Sequence, residues 1–178
     1  MAVSITYFVH GTTTDNEQDI STGWNDGKLS ALGIRQSRHL IDQVDADRFD
    51  VVFCSDLQRA IDSARLTFEG RKKILVDARL RECNYGRYNG KRETEGMKEH
   101  HILKRFPDGE SYKDVELRMR DFLRYLERFF PGKRVAIVAH QAPQLALEVI
   151  TKGKTWKQAF AQDWRKRKAW RPGWAYRC

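Results

Sequence analysis

Two histidines, an arginine and a glutamate in this sequence each follow a stretch that reads as a β-strand. His10 comes directly after Ser4–Val9 and is backed by Gly11. His140 comes directly after the apolar run Val135–Ala139. Arg59 lies a few residues beyond Phe49–Cys54, and Glu82 lies in the loop beyond Lys73–Val76. These residue types suit phosphoryl transfer. A neutral imidazole is a good nucleophile toward phosphorus. An arginine and a second histidine can hold the equatorial oxygens as charge spreads over them, and a carboxylic acid can protonate the leaving oxygen. A lone strand-end histidine is more often structural; two of them, with Arg and Glu, tilt the reading toward a site.

The elements needed to bring the four together are those of an α/β domain. Ser4–Val9, Phe49–Cys54, Lys73–Val76 and Val135–Ala139 read as strands, being short and rich in β-branched or apolar residues. The last is nearly all apolar, as expected of a central parallel strand covered on both faces. Between them lie helical stretches. One begins near Ser30, with Gly33, Ser37, Leu40 and Val44 on one face. A second begins at Ser55-x-x-Gln58, which has the form of a capping box, and buries Ala60, Ile61, Ala64 and Phe68. Residues 91–105 read as a mostly charged helix, ended by Phe106-Pro-Asp-Gly109. A longer helix runs from Ser111 to about Phe130, and another from about Pro143 to Ile150. Residues 10–28 and 77–90 read as loops, the first long enough to be functional. Parallel strands present their carboxyl ends at one edge, so His10, Arg59, Glu82 and His140 can converge there, where helix N-termini also favour an anion.

Composition narrows the classes. The 178 residues suit one domain spanning 1–178, with the basic, Trp-rich tail 156–178 packed on it. Hydrophobic residues are 40% and charged residues 32%, so a soluble globular protein is expected, and no apolar run approaches the ~18 residues of a membrane span. The three cysteines Cys54, Cys83 and Cys178 are odd in number and form no Cys-x-x-Cys pair, which fits a reducing compartment. With no signal-peptide pattern at the start, a cytoplasmic location is expected. The net charge of +9 favours anionic ligands, either nucleic acid or small phosphorylated or carboxylated molecules.

At the same residues the sequence resembles the histidine phosphatase superfamily, the phosphoglycerate mutase-like proteins. Their Arg-His-Gly-x-Thr-x-x-Asn pattern appears as Val9-His10-Gly11-Thr12-Thr13-Thr14-Asp15-Asn16. Further matches follow in order: Gly23 to Gln36, Cys54-Ser-Asp-Leu-Gln-Arg-Ala60, Leu80-Arg-Glu-Cys-Asn-Tyr-Gly86, Phe106-Pro-Asp-Gly-Glu-Ser111 and Val135-Ala-Ile-Val-Ala-His140. The resemblance spans residues 3–150. It implies a three-layer α/β/α sandwich with a mostly parallel central sheet. It also implies that His10 becomes phosphohistidine, that Arg59 and His140 clamp the phosphate, and that Asn16 makes a further contact. Glu82 is then the proton donor that later activates water, and no metal or other cofactor is required. Gln141, where the family frequently has glycine, either reaches the phosphate or shapes the pocket.

One position departs from the pattern in a way that bears on catalysis. The arginine before the nucleophile is Val9 here, and loss of one preorganised donor typically costs on the order of 10²–10³ in rate. Either another cation takes its place, or catalysis is weak, or the site merely binds.

Other features have plainer readings. His39 lies off its helix's apolar stripe and reads as surface. His100-His101 beside Glu99 could suggest a metal, but neighbours on a helix point about 100° apart, so a solvated face is expected. Cys83 adjoins Glu82, with nothing to mark it as reactive. Arg165-Lys-Arg-Lys168 among Trp164, Trp170 and Trp174 could track a polyanion; a solvated helix face is the plainer reading, and a border to the active-site mouth the third.

The expectation is therefore a phosphatase acting on monoesters of small molecules through His10, with a small phosphorylated substrate preferred over nucleic acid. A catalytically weak phospholigand- or polyanion-binding protein is the alternative. A phosphoglycerate-type mutase ranks lower: only about twenty residues separate the Glu82 loop from Phe106, where the family's mutases carry longer insertions.

Overall fold

In a computed structural model, which describes residues 1–167 and 169–178 without the Arg167 side chain, alternation of apolar residues along three neighbouring strands builds two cores on one sheet. In chain order the elements are β1 (Ser4–Val9), α1 (Thr14–Glu17), β2 (Ile20–Ser21), α2 (Ala31–Gln43), β3 (Val51–Cys54), α3 (Gln58–Phe68) and β4 (Ile74–Val76). They continue with β5 (Lys91–Arg92), α4 (Met97–His100), α5 (Tyr112–Phe129), β6 (Arg134–Ala139), α6 (Gln141–Lys152), α7 (Trp156–Ala161), α8 (Trp164–Arg167) and β7 (Trp174–Arg177). Short 3₁₀ turns lie at Ala46–Arg48, Ala78–Leu80 and Gly86–Tyr88.

The main sheet has the order β4-β3-β6-β1-β7. Its first four strands are parallel, and β7 runs antiparallel along the edge of β1. Ile5, Tyr7, Phe53, Val135, Ile137 and Ala139 face one side, where α5 and α6 pack on them. Phe8, Val52, Cys54, Ala136 and Val138 face the other, against Ala64 and Phe68 of α3 and Leu40 of α2. This is the expected three-layer α/β/α arrangement with a mostly parallel sheet. β6 is buried from Val135 to Ala139, as its unbroken apolar run requires.

Several local expectations are corrected. The stretch 10–28 is not all loop: Thr13 and Asn16 form a capping box that starts α1, and β2 pairs with β5. Residues 91–105 do not form one helix. They lack an apolar stripe, Gly96 adopts a left-handed φ of 71°, and only four residues become helical. Helix α3 is capped at Leu57 rather than Ser55, whose hydroxyl accepts from the Leu57 N–H instead. The tail, for which the sequence gives no element bounds, adds α7, α8 and the edge strand β7.

His39 is exposed, as its helical position implies. His101 is not on a solvated face: it is buried and stacked on Phe106 at 3.8 Å, with Nδ1 hydrogen-bonded to the Lys104 carbonyl. Among the described residues no group of three or more His, Cys, Asp or Glu is arranged to hold a metal ion, and no helix is long and apolar enough to cross a membrane. Of the basic run 165–168, Lys168 and the side chain of Arg167 lie outside the described residues.

Candidate active site

Strand register sets the two histidines side by side. Val9 pairs with Ala139 across β1 and β6, so the next residue on each strand emerges at the same level. The His10 N–H donates to the Ala139 carbonyl, and the two imidazole centroids are 5.0 Å apart. His10 Nδ1 lies 2.7 Å from the Gly11 carbonyl. A carbonyl can only accept, so Nδ1 carries the proton and the Nε2 lone pair is left for chemistry. Burial, and then the Arg59 charge, outweigh that bond and push the His10 imidazole down to about 3. It is neutral near pH 7.

His140 is fully buried, and neither of its ring nitrogens has a hydrogen-bond partner among the described residues. Burial, followed by the charge of Arg59 and the proximity of His10, keeps it well below the usual histidine range. Buried polar groups are nearly always paired, so an orphan imidazole in a cleft marks a place where a ligand completes the bonding. Its backbone is fixed from β1: the Tyr7 hydroxyl donates to the His140 carbonyl at 2.7 Å and accepts from its N–H at 3.0 Å.

Arg59 occupies the first turn of α3, almost wholly buried. Nη2 donates to the Gly23 carbonyl and Nη1 to the Asn25 carbonyl, which ties the loop before α2 to the site. Each terminal nitrogen keeps an N–H for a ligand. Close packing behind His10 depends on two glycines. A Cβ on Gly33 would sit 2.0 Å from the Thr12 carbonyl oxygen, and one on Gly11 would sit 2.5 Å from the Gly33 carbonyl oxygen. The Gly11 N–H then reaches Ser63 of α3.

Glu82 lies against the start of α6. Oε1 accepts from the Cys83 and Ala142 N–H groups, and Oε2 accepts from the Gln141 N–H. Oε1 therefore uses both lone pairs, whereas Oε2 keeps one for a proton. The Glu82 loop is held from behind by Arg118 of α5, which donates to the carbonyls of Arg79, Arg81 and Glu82. Trp24 Nε1 also donates to the Glu82 carbonyl, at 2.7 Å. Neighbouring Cys83 is buried, which raises its thiol well above the ordinary range.

His10, Arg59, Glu82 and His140 all line one cleft, together with Asn16, Gln141 and Val9. Asn16 turns its side-chain oxygen back to the Thr13 N–H, as a cap. The Gln141 side-chain amide accepts from Lys98 at 2.8 Å and donates to Asp163 along the pocket wall, with one N–H left over. The sequence reading did not find Tyr7, Trp24, Arg118 or Asp163. Arg165, read there as one of a basic run, also lines the cleft. Tyr7, Trp24 and Arg118 act mainly on backbone groups, which leave no pattern in the sequence.

The match to a family model extends over residues 7–156 and is to the histidine phosphatase superfamily (branch 1). The chain belongs to that superfamily. Its relatives include a 2,3-bisphosphoglycerate-dependent phosphoglycerate mutase of Methylobacterium sp. (strain 4-46), 32% identical over 164 residues, which cover 82% of this chain and 79% of the relative. The uncharacterized phosphatase PhoE of Bacillus subtilis (strain 168) is 31% identical over 144 residues, covering 78% and 72%. Among solved structures, a mycobacterial glucosyl-3-phosphoglycerate phosphatase superposes with a TM-score of 0.75 at 26% identity, covering 90% of this chain and 86% of that one.

Proposed function

We propose that the protein hydrolyses phosphate monoesters of small molecules through a phosphohistidine on His10. The observation that carries this reading is the pairing of two imidazoles, 5.0 Å apart, at one strand edge. One has a free Nε2, and the other has no partner. His10 Nε2 attacks phosphorus while the ester P–O bond breaks, and Glu82 gives its Oε2 proton to the departing oxygen. Glu82, now a carboxylate, takes a proton from water. The resulting hydroxyl attacks phosphorus, the N–P bond breaks, and phosphate leaves with His10 neutral again. Arg59 and His140 hold the equatorial oxygens in both halves, and no step uses a metal ion.

Relatives named as phosphoglycerate mutases favour a second reading, in which the phosphoryl group passes to another hydroxyl. Hydrolysis is preferred because the segment between the Glu82 loop and Phe106 is short. The test is hydrolysis of 4-nitrophenyl phosphate by wild type and His10→Ala. Wild-type turnover no higher than that of His10→Ala would sink the hydrolytic reading, and isomerisation of phosphoglycerate faster than hydrolysis would replace it with mutase chemistry.

A further inference from the structure

The departure at Val9 leaves the nucleophile without a cation next to it in the chain, and the C-terminal segment brings one to the same cleft as His10 and Arg59. Val9 lies on the face of β1 shared by Ile5 and Tyr7, the face toward α6. Arg165 approaches from that side: its guanidinium donates to Gln144 of α6 at 3.3 Å and to Asp163 at 3.0 Å. Lys98, another cation lining the cleft, is neutralised by Glu93 at 2.7 Å and bound to Gln141.

The seating of Arg165 is elaborate for a surface residue. β7 runs along β1 with Trp174 opposite Tyr7, so the tail returns to the sheet edge next to Val9. Trp164 stacks on Trp174 at 4.9 Å and donates its indole N–H to Gln144. The guanidinium carbon of Arg165 lies 4.4 Å from the Trp164 ring centroid. Asp163 is 3% exposed and also accepts from Gln141, so that one side chain ties the Arg165 anchor to the start of α6. These bonds use both N–H groups of Nη1 and one of Nη2. Nε and the second N–H of Nη2 have no partner among the described residues. Behind burial and Arg59, Arg165 adds a minor lowering influence at both His10 and His140.

We infer that Arg165 is the second arginine clamp on the phosphoryl group, supplied from the C-terminal segment in place of the residue missing at Val9. Asp163, Gln141 and Gln144 are its positioning residues. The Val9 and Gln141 departures then belong together. A small apolar residue at 9 leaves room for the relocated guanidinium, and a glutamine at 141 fastens its carboxylate anchor.

The inference rests on the phosphatase reading for its catalytic role, but phosphate binding tests it independently. Wild type, His10→Ala, Arg165→Ala, Arg165→Lys and the double variant Val9→Arg/Arg165→Ala are compared in two ways. One is turnover of 4-nitrophenyl phosphate, and the other is calorimetric affinity for inorganic phosphate. Circular dichroism melts check that each variant folds. Arg165→Ala is expected to lose on the order of 10²–10³ in kcat and to bind phosphate at least tenfold more weakly. Lysine should restore only part, because it lacks the planar fork, and Val9→Arg should recover activity in the Arg165→Ala background. Folded Arg165→Ala that binds phosphate within twofold of wild type overturns the inference, whatever the turnover. A wild type no faster than His10→Ala defeats the hydrolytic reading instead and leaves the phosphate affinities to decide Arg165.

Discussion

The floor and the rim of the cleft are built by different means. On the floor, His10, His140, Arg59 and Glu82 are set by strand register, helix starts and bonds to backbone groups. On the rim, side chains hold side chains: Glu93 holds Lys98, Lys98 holds Gln141, Gln141 holds Asp163, and Asp163 holds Arg165. Backbone-anchored groups have few ways to move and suit chemistry that tolerates little misplacement. A chain of side chains can be re-cut by single substitutions, so the rim is the easier of the two regions to vary.

The sharpest way to break the floor is to fill the space behind it. In Gly33→Ala the new methyl would meet the Thr12 carbonyl oxygen at 2.0 Å, so backbone must move. The His10 loop is then displaced. Kinetics should show kcat down about 10²-fold, and thermal melts a loss of about 1–3 kcal/mol. A Gly33→Ala protein with wild-type kcat would mean that the loop has slack and that the floor is no stiffer than the rim.

Arg118→Met attacks the floor from behind. It removes donors to three backbone carbonyls of the Glu82 loop and the partner of Glu110. Losing charged hydrogen bonds at a half-buried site should cost about 2–3 kcal/mol in urea unfolding. Activity should fall about tenfold through kcat rather than KM, because Glu82 loses its support without leaving the cleft. A change confined to KM would place Arg118 among substrate contacts.

How much of this was readable beforehand follows the same division. His10 and His140 were legible because a strand that ends in histidine is a local pattern, and parallel strands share an edge. Arg59 was legible from a helix start, although the cap itself was misplaced by two residues. Glu82 was found in its loop, but its seat on α6 was not, because the donors are Gln141 and Ala142, 59 and 60 residues later. Arg165 was the hardest. A run of Arg and Lys reads as a solvated face, whereas bonds to Gln144 and Asp163 hold Arg165 at the cleft. The tail's strand escaped notice because Trp174–Arg177 is four residues long and carries one buried side chain.

On the rim, Gln141→Gly cuts the link between Lys98 and Asp163. The expected loss is about 1 kcal/mol, or about fivefold in kcat/KM. The loss should be more salt-sensitive than that of any floor variant, because the neighbouring Lys98–Glu93 pair, with Glu93 41% exposed, is open to screening. Equal salt responses for Gln141→Gly and Arg118→Met would remove the distinction between the two regions.

A last comparison tests whether the floor is shielded from water. The unfolded His10 titrates near 6.5 and the folded one near about 3. A depressed folded value means that the neutral form is favoured by folding. The contribution is complete above about pH 6.5 and is lost as pH falls through that window toward 3. Between those values the unfolded chain binds a proton that the folded one refuses, so stability falls by up to about 1.4 kcal/mol per pH unit for this group. Urea unfolding at pH 7.5, 6, 5 and 4 should show a gentler decline for His10→Gln than for wild type. His140 adds a decline of the same sign to both proteins, set first by burial and then by Arg59, so most of the difference between the two curves comes from His10. Parallel curves would show that water reaches the imidazole freely. The nucleophile would then depend on pH near neutrality rather than standing neutral across it.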